Sequence, residues 1–132
     1  MIRLLVADDH DVIRFGLETL LSGEPDITII GMAADGRSAV TMAIADPPDV
    51  VLMDLSMPIL DGVSATREIV RAAPSVQVLV LTSYSHESMV RDAFAAGACG
   101  YVLKDSSPTT LLDAIRAVHR GESPVAPMIQ DL

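Results

Sequence analysis

The sequence is poor in cysteine, in aromatic residues and in cations. One of its 132 residues is cysteine, Cys99, so no internal disulfide can form. A reducing, cytoplasmic setting is the simplest expectation for such a chain. Cys99 lies in Ala98-Cys99-Gly100 with no base or second cysteine beside it, which suits a small core residue better than a redox centre. Tryptophan is absent, and tyrosine and phenylalanine number two each, so the core has to be aliphatic. Lys and Arg total 9 against 18 Asp and Glu, for a formal net charge of −9. A domain this acidic repels phosphate backbones, which argues against direct nucleic-acid binding by this stretch. Long apolar runs are missing too. None nears the roughly 20 residues of a membrane span, and the N-terminal run, Leu4 to Ala7, stops at Asp8 and Asp9, so neither a signal peptide nor a membrane partner is expected.

What the sequence does have is aliphatic residues, half of it being hydrophobic, in short runs separated by turn signals. The most telling stretch is Asp49 to Gly62. Val50 to Met53 is a four-residue apolar run that reads as a strand buried on both faces. Asp54 follows at its carboxyl end, and Met57-Pro58 and Asp61-Gly62 then break the chain. Similar runs occur at Ile2 to Ala7, Ile27 to Met32, Val76 to Leu81 and Gly100 to Leu103. Between and after them lie helical patterns. Ile13, Leu17, Leu20 and Leu21 share one helix face, ended by Ser22-Gly23 and Pro25. Asp35 is placed to cap a second helix with an apolar face of Ala39, Val40, Ala43 and Ile44, stopped by Pro47-Pro48. A third helix carries Val63, Ile69 and Val70 and closes at Pro74. A fourth, from about His86 to Ala96, packs Met89, Val90, Ala93 and Phe94, with Gly97 suited to follow its end. Ser107 and Pro108 open a fifth with Leu111, Leu112, Ile115 and Val118 inward, ended by Gly121. Alternation of strand and helix predicts an α/β fold, a doubly wound parallel five-stranded sheet with helices on both faces. Residues 1–121 form this domain, and residues 122–132, with two prolines and no period, read as a linker or tail.

In such a sheet the strand ends share one edge, where open α/β sheets keep their chemistry. The first strand delivers Asp8 and Asp9 there, the third Asp54, the fourth Thr82 and the fifth Lys104. Three carboxylates in one place repel one another, and without a cation at least one takes up a proton. An oxygen-only cluster suits a hard ion, Mg²⁺ in particular, which would let an anion approach an acidic pocket. Lys104 and Thr82 could then hold phosphoryl oxygens, and a carboxylate can attack phosphorus. The edge therefore reads as a phosphoryl acceptor site. Singly, each of these acids would be a cap or turn residue, as Asp61 and Asp105 are read. His10 could be a metal ligand, but it starts a helix and reads rather as a local contact; His86 and His119 read as exposed helix residues, and Tyr101 as a half-buried packing residue.

These residues resemble the receiver domain of two-component response regulators. Asp8-Asp9-His10 with Arg14, Gly16 and Leu17 resembles the opening of the NarL/FixJ, LuxR-type subfamily. Met53 to Pro58 with Asp61-Gly62 is similar to the phosphorylation motif, and Thr82-Ser83 and Gly100 to Asp105 complete the set. The resemblance implies a flavodoxin-like (βα)5 fold with strand order 2-1-3-4-5. It implies that Asp54 is the phosphoacceptor for a phosphohistidine on a sensor histidine kinase, so the chain is a switch rather than an enzyme with a turned-over substrate. Mg²⁺, with Mn²⁺ able to stand in, would be bound by Asp9, Asp54 and the backbone carbonyl of Ser56, with Asp8 acting through a water. Lys104 would pair with the phosphoryl group, Thr82 would hydrogen-bond it and move, and Tyr101 would change rotamer with it. Ser56, Ser83 and Tyr84 would tune the lifetime of the phosphorylated form. Phosphorylation would drive homodimerisation and transcription regulation, with DNA reached only through an output domain this stretch does not contain. Lys104 is followed by Asp105 where many receivers have proline, which leaves that loop's geometry open.

Other classes fit less well. A haloacid-dehalogenase-type phosphatase needs an acid two residues after its nucleophile, where this chain has Ser56. A flavin-binding flavodoxin needs a Ser/Thr/Gly phosphate loop after the first strand, and here acids follow. A stand-alone receiver, or a pseudo-receiver that binds partners without phosphorylation, is the remaining alternative.

Overall fold

The computed structural model describes residues 1–83 and 87–123. Its strands are β1 (Ile2–Ala7), β2 (Ile27–Ala33), β3 (Val50–Asp54), β4 (Gln77–Thr82) and β5 (Gly100–Leu103). Its helices are α1 (Asp11–Leu21), α2 (Gly36–Ala45), α3 (Gly62–Ala72), α4 (Glu87–Ala96) and α5 (Pro108–His119). Every strand pair is parallel, and the sheet order is β2-β1-β3-β4-β5. This is the flavodoxin-like order, with β3 in the middle.

Period-two alternation sorts the sheet residues onto two faces. Leu4, Val6, Val50, Leu52, Leu79, Leu81 and Val102 pack on one side against Leu17 and Leu21 of α1 and Leu111, Ile115 and Val118 of α5. On the other side, Leu5, Ala7, Val51, Met53 and Val78 meet Ala39, Val40 and Ala43 of α2 and Ala65 and Ile69 of α3. Val80 and Tyr101 continue that face under Val90 and Ala93 of α4. The central strands are apolar throughout because both their faces are covered, as the run Val50 to Met53 implies.

Helix ends follow local chemistry. Asp35 accepts a hydrogen bond from the Ser38 N–H at 2.7 Å, Asp61 from the Ser64 N–H at 2.9 Å, and Ser107 Oγ from the Thr110 N–H at 3.2 Å. Gly97, just past α4, has φ +118°, and a Cβ there would stand 2.9 Å from the Val70 side chain, so both conformation and space call for glycine.

The structure corrects several expectations. Ile44 is 47 % exposed and not on the core face of α2, because Ala39, Val40 and Ala43 already fill the shallow space against the sheet. β2 runs one residue further, to Ala33, and β4 begins at Gln77, with Val76 buried in the turn before it. Tyr101 is 2 % exposed rather than half-buried, since β5 has α4 over its ring-bearing face. Cys99 packs partly buried against the α1/α5 core, as expected of a small core residue. Asp105 lies in the turn after β5, and no cis peptide bond occurs among the described residues. His119 is exposed; the expected start of α4 at His86 falls outside the described residues, as do Tyr84 and most of the expected linker.

Candidate functional site

Register decides which side chains meet. Ala7 pairs with Met53 across β1 and β3, so the next residues along, Asp8 and Asp54, stand side by side at the carboxyl edge. Thr82 pairs with Leu103 across β4 and β5, which delivers Lys104 to the same edge. The Lys104 N–H donates to the Thr82 carbonyl at 2.7 Å, extending the β4–β5 ladder and fixing the base of the lysine.

Asp8 is fully buried and Asp54 is 2 % exposed, whereas the Asp9 side chain opens to solvent. Lys104 Nζ lies 3.2 Å from Asp8 Oδ2 and 3.3 Å from Asp54 Oδ1. The Ser56 N–H donates to Asp54 Oδ1 at 3.3 Å. Asp54 Oδ2 is buried without any hydrogen-bond partner, and the equally buried Asp8 Oδ2 has the Lys104 ammonium as an ion-pair partner without a well-directed hydrogen bond. Burial pushes the Asp54 carboxyl above its ordinary pKa, and the Asp8 charge pushes it further; Lys104 and the Ser56 N–H pull the other way and do not prevail. One ammonium therefore serves two buried carboxylates, Asp8 and Asp54, and Asp54 Oδ2 is left without a donor. Both observations fit a cation with oxygen ligands in this pocket.

The loop after Asp54 turns tightly and folds back on that strand end. The Leu60 N–H donates to the Pro58 carbonyl at 2.8 Å, closing a γ-turn with Ile59 at φ +72°. This hand of γ-turn is rare and strained, the more so for a β-branched residue. Gly62 then folds back so that its N–H donates to the Leu55 carbonyl at 3.0 Å, and a Cβ there would meet the Asp54 carbonyl oxygen at 2.2 Å. Only glycine permits that approach.

A model of the response regulator receiver domain matches residues 4–116. The chain belongs to the response regulator receiver domain family. Among curated relatives, the transcriptional regulatory protein LiaR of Bacillus subtilis is 44 % identical over 122 residues, 92 % of this chain and 58 % of its own. The response regulator protein VraR of Staphylococcus aureus is 40 % identical over 128 residues, 97 % of this chain and 61 % of its own. The chain thus spans about three fifths of the length of these relatives. A crystal structure of a LuxR-family two-component response regulator from Aurantimonas superposes with a TM-score of 0.91 at 34 % identity, covering 99 % of this chain and 94 % of that one. The receiver domain of the NarL regulator from Mycobacterium tuberculosis gives 0.85 at 33 % identity, over 92 % and 98 % of the two chains. This is a two-component receiver domain whose relatives are LuxR- and NarL-type regulators.

Within this receiver, Asp8, Asp9, Asp54 and Lys104 converge as expected from strand order. Thr82 is 1 % exposed at the end of β4, and its hydroxyl makes a long 3.5 Å contact with the Ser83 carbonyl. Tyr101 is packed inward with Leu55, Val80, Val90 and Ala93. Ser56 and Ser83 are exposed beside the pocket. Tyr84 lies outside the described residues.

His10 reaches further into the site than the local contact the sequence reading favoured. Its Nδ1 is 2.7 Å from Asp8 Oδ1, the local contact expected, but it is also 3.2 Å from Asp9 Oδ1 and 4.0 Å from Asp54 Oδ2. Spacing along the chain shows the first two contacts; the third exists only because β1 and β3 are neighbours. Arg14 was likewise legible only as part of a motif. Its guanidinium donates to the Asp8 backbone carbonyl and to the Asp11 carboxylate, pinning the turn that presents both acids.

Proposed function

We propose that this receiver is a phosphorylation-driven switch in which Asp54 accepts a phosphoryl group from a phosphohistidine on a sensor histidine kinase. The observation that carries the reading is the Asp54 carboxylate itself, buried at the centre of the edge, 3.3 Å from the Lys104 ammonium and with Oδ2 unpartnered. In the transfer, an Asp54 oxygen forms a bond to phosphorus, the N–P bond to the kinase imidazole breaks, and the imidazole nitrogen keeps the electron pair and takes up a proton. Asp54 promotes only its own phosphorylation and dephosphorylation.

Asp8, Asp9, Asp54 and the backbone carbonyl of Ser56 are the groups that would hold Mg²⁺, or Mn²⁺ in its place. The ion supplies positive charge that offsets the carboxylates and the incoming phosphoryl oxygens. Lys104 pairs with the phosphoryl group, and the Thr82 hydroxyl, lacking a short partner in its present rotamer, turns to donate to it. That movement would leave room beside the Tyr101 ring, which is already packed inward, and would hold it there. Ser56, Ser83 and Tyr84 tune access of water to the acyl phosphate. A phosphoryl group adds about 1.5 to 2 negative charges, enough to bias a two-state surface formed by α4, β5 and α5 towards homodimerisation. We take residues 1–121 as the switch and 122–132 as the segment leading out of it toward a DNA-binding output domain, with transcription as the regulated process and the cytoplasm as its place.

The test is intact mass after incubation with acetyl phosphate and Mg²⁺. Gain of one phosphoryl group, lost in Asp54→Asn and in EDTA, is the expected result. Equal labelling of Asp54→Asn would overturn the assignment of Asp54.

A further inference from the structure

The acid pocket holds one nitrogen that no hard-ion reading uses. His10 is the N-cap position of α1, yet its side chain makes no capping hydrogen bond. The ring instead lies over the pocket mouth, 56 % exposed, with Nδ1 aimed at the carboxylates. One ligand atom from each of Asp8, Asp9, His10 and Asp54 can be chosen so that all lie within 4.8 Å of one another. Asp8 and Asp54 are buried, and Asp54 also keeps an oxygen with no hydrogen-bond partner, so the group is more than a surface cluster of acids.

The distances have the pattern of a coordination sphere. An octahedral ion about 2.1 Å from its ligands sets neighbouring ligand atoms about 3.0 Å apart and opposite ones about 4.2 Å apart. Nδ1 is 2.7 Å from Asp8 Oδ1, 3.2 Å from Asp9 Oδ1 and 4.0 Å from Asp54 Oδ2. The first two match neighbouring positions and the third an opposite one. To serve as a ligand, Nδ1 must be without its proton, which then sits on Nε2. In this structure Nδ1–H donates to Asp8 Oδ1 at 2.7 Å, since a carboxylate only accepts, so a bound ion would take that proton's place; Lys104 Nζ stands 3.4 Å from Nδ1 as a neighbouring cation and not as its donor. The ammonium also faces Asp8 and Asp54, so it and a metal ion compete for the same corner of the pocket.

Imidazole nitrogen favours borderline divalent ions of the first transition row, whereas carboxylate and carbonyl oxygens suit Mg²⁺ and Mn²⁺. We propose that His10 Nδ1 is a metal ligand, which makes the acid pocket of this receiver a mixed nitrogen–oxygen site for Co²⁺, Ni²⁺ or Zn²⁺ as well as a hard-ion site. The proposal rests on reading the acid cluster as a cation site. Its consequence is that a transition-metal ion would occupy the pocket in competition with Mg²⁺ and with Lys104, making phosphoryl acceptance sensitive to the metal present.

The test is calorimetric titration of the full chain with CoCl₂ and separately with MgCl₂, with the visible d–d absorption of Co²⁺ as a second readout. The same titrations are run on His10→Ala, His10→Gln and Asp54→Asn. The His10 side chain is exposed and makes no cap, so its removal leaves the fold intact, which thermal unfolding checks. In both His10 variants the ratio of Co²⁺ to Mg²⁺ affinity should fall by about tenfold or more, and the Co²⁺ band should shift as an oxygen replaces nitrogen. An unchanged ratio and an unchanged band overturn the proposal. If Mg²⁺ binds and is weakened by Asp54→Asn while Co²⁺ is indifferent to His10, this proposal fails alone. If neither ion binds, the reading of the cluster as a cation site fails with it.

Discussion

The middle of the sheet and its carboxyl edge are adjacent stretches of the same strands, built on opposite rules. Along β3, Val50, Val51, Leu52 and Met53 have no exposed surface and their apolar side chains have packed neighbours on both faces. One residue later Asp54 is nearly as buried, but it carries a charge, has another carboxylate beside it and leaves an oxygen without a partner. Five residues after that, Ile59 holds a positive φ. The interior is where burial stabilises, at roughly 25 cal/mol per Å² of apolar surface. The edge is where desolvated charge and backbone strain destabilise by a few kcal/mol. A receiver of this size can keep such an edge because it grows directly out of rigid, fully covered strands.

Three substitutions would break or sharpen that contrast. The largest effect on stability is expected in the interior. Leu52→Ala, at a site with no exposed surface between α1, α5 and the flanking strands, should cost about 3 to 5 kcal/mol in urea unfolding. A loss below about 1 kcal/mol would mean that the interior relaxes easily and does not anchor the edge.

Gly62→Ala comes next. The added methyl would stand 2.2 Å from the Asp54 carbonyl and 2.7 Å from Leu55 Cα, both backbone atoms that cannot swing away. Stability should fall by about 1 to 3 kcal/mol, less than for Leu52→Ala. Phosphorylation by acetyl phosphate, measured where both variants are fully folded, should fall more than for Leu52→Ala, because the shift is delivered to Asp54. Equal phosphorylation in the two variants would show that the β3–α3 turn does not position the carboxylate.

The smallest effect has the opposite sign. Burial, then the charge of Asp8, holds the Asp54 carboxyl above its ordinary pKa in the folded chain. The folded state therefore binds this proton more tightly than the unfolded state. Stability associated with it is present in full below the ordinary carboxylate pKa and is lost as pH rises through the raised value. Asp54→Asn removes that loss. In EDTA the variant should match the parent at acidic pH and exceed it at pH 7.5 by about 1 kcal/mol, a few degrees in Tm. Saturating Mg²⁺ should narrow the gap, since the ion stabilises only the parent carboxylate. A variant less stable than the parent in EDTA at pH 7.5 would contradict the picture of an edge under electrostatic strain.

Much of this was legible in the residues. Strand ends could be located because apolar runs stop at charged residues, and once alternation implies a parallel sheet those ends must share an edge. Asp35, Asp61 and Ser107 could be read as caps because an N-cap bond spans three residues and needs nothing beyond its own helix. Ile44 misled because helical period alone counts it as apolar and inward, whereas which residues of α2 reach the sheet depends on how close the small residues Ala39 and Ala43 let the helix come. The depth of Tyr101 was hidden for a similar reason, since a four-residue strand gives no sign of what covers it.

By itself the sequence determined the alternation of elements, the caps, the glycine that follows α4 and the identity of the acids, hydroxyl and lysine at the strand ends. Each of these follows from steric or hydrogen-bonding rules that act over a few residues. Tertiary structure alone decided distances: that Lys104 reaches both Asp8 and Asp54, that Asp54 Oδ2 is left buried without a donor, and that the His10 ring lies across the pocket. Those depend on which strands are neighbours and in what register. Register is set by the packing of whole faces, so no local stretch of residues contains it.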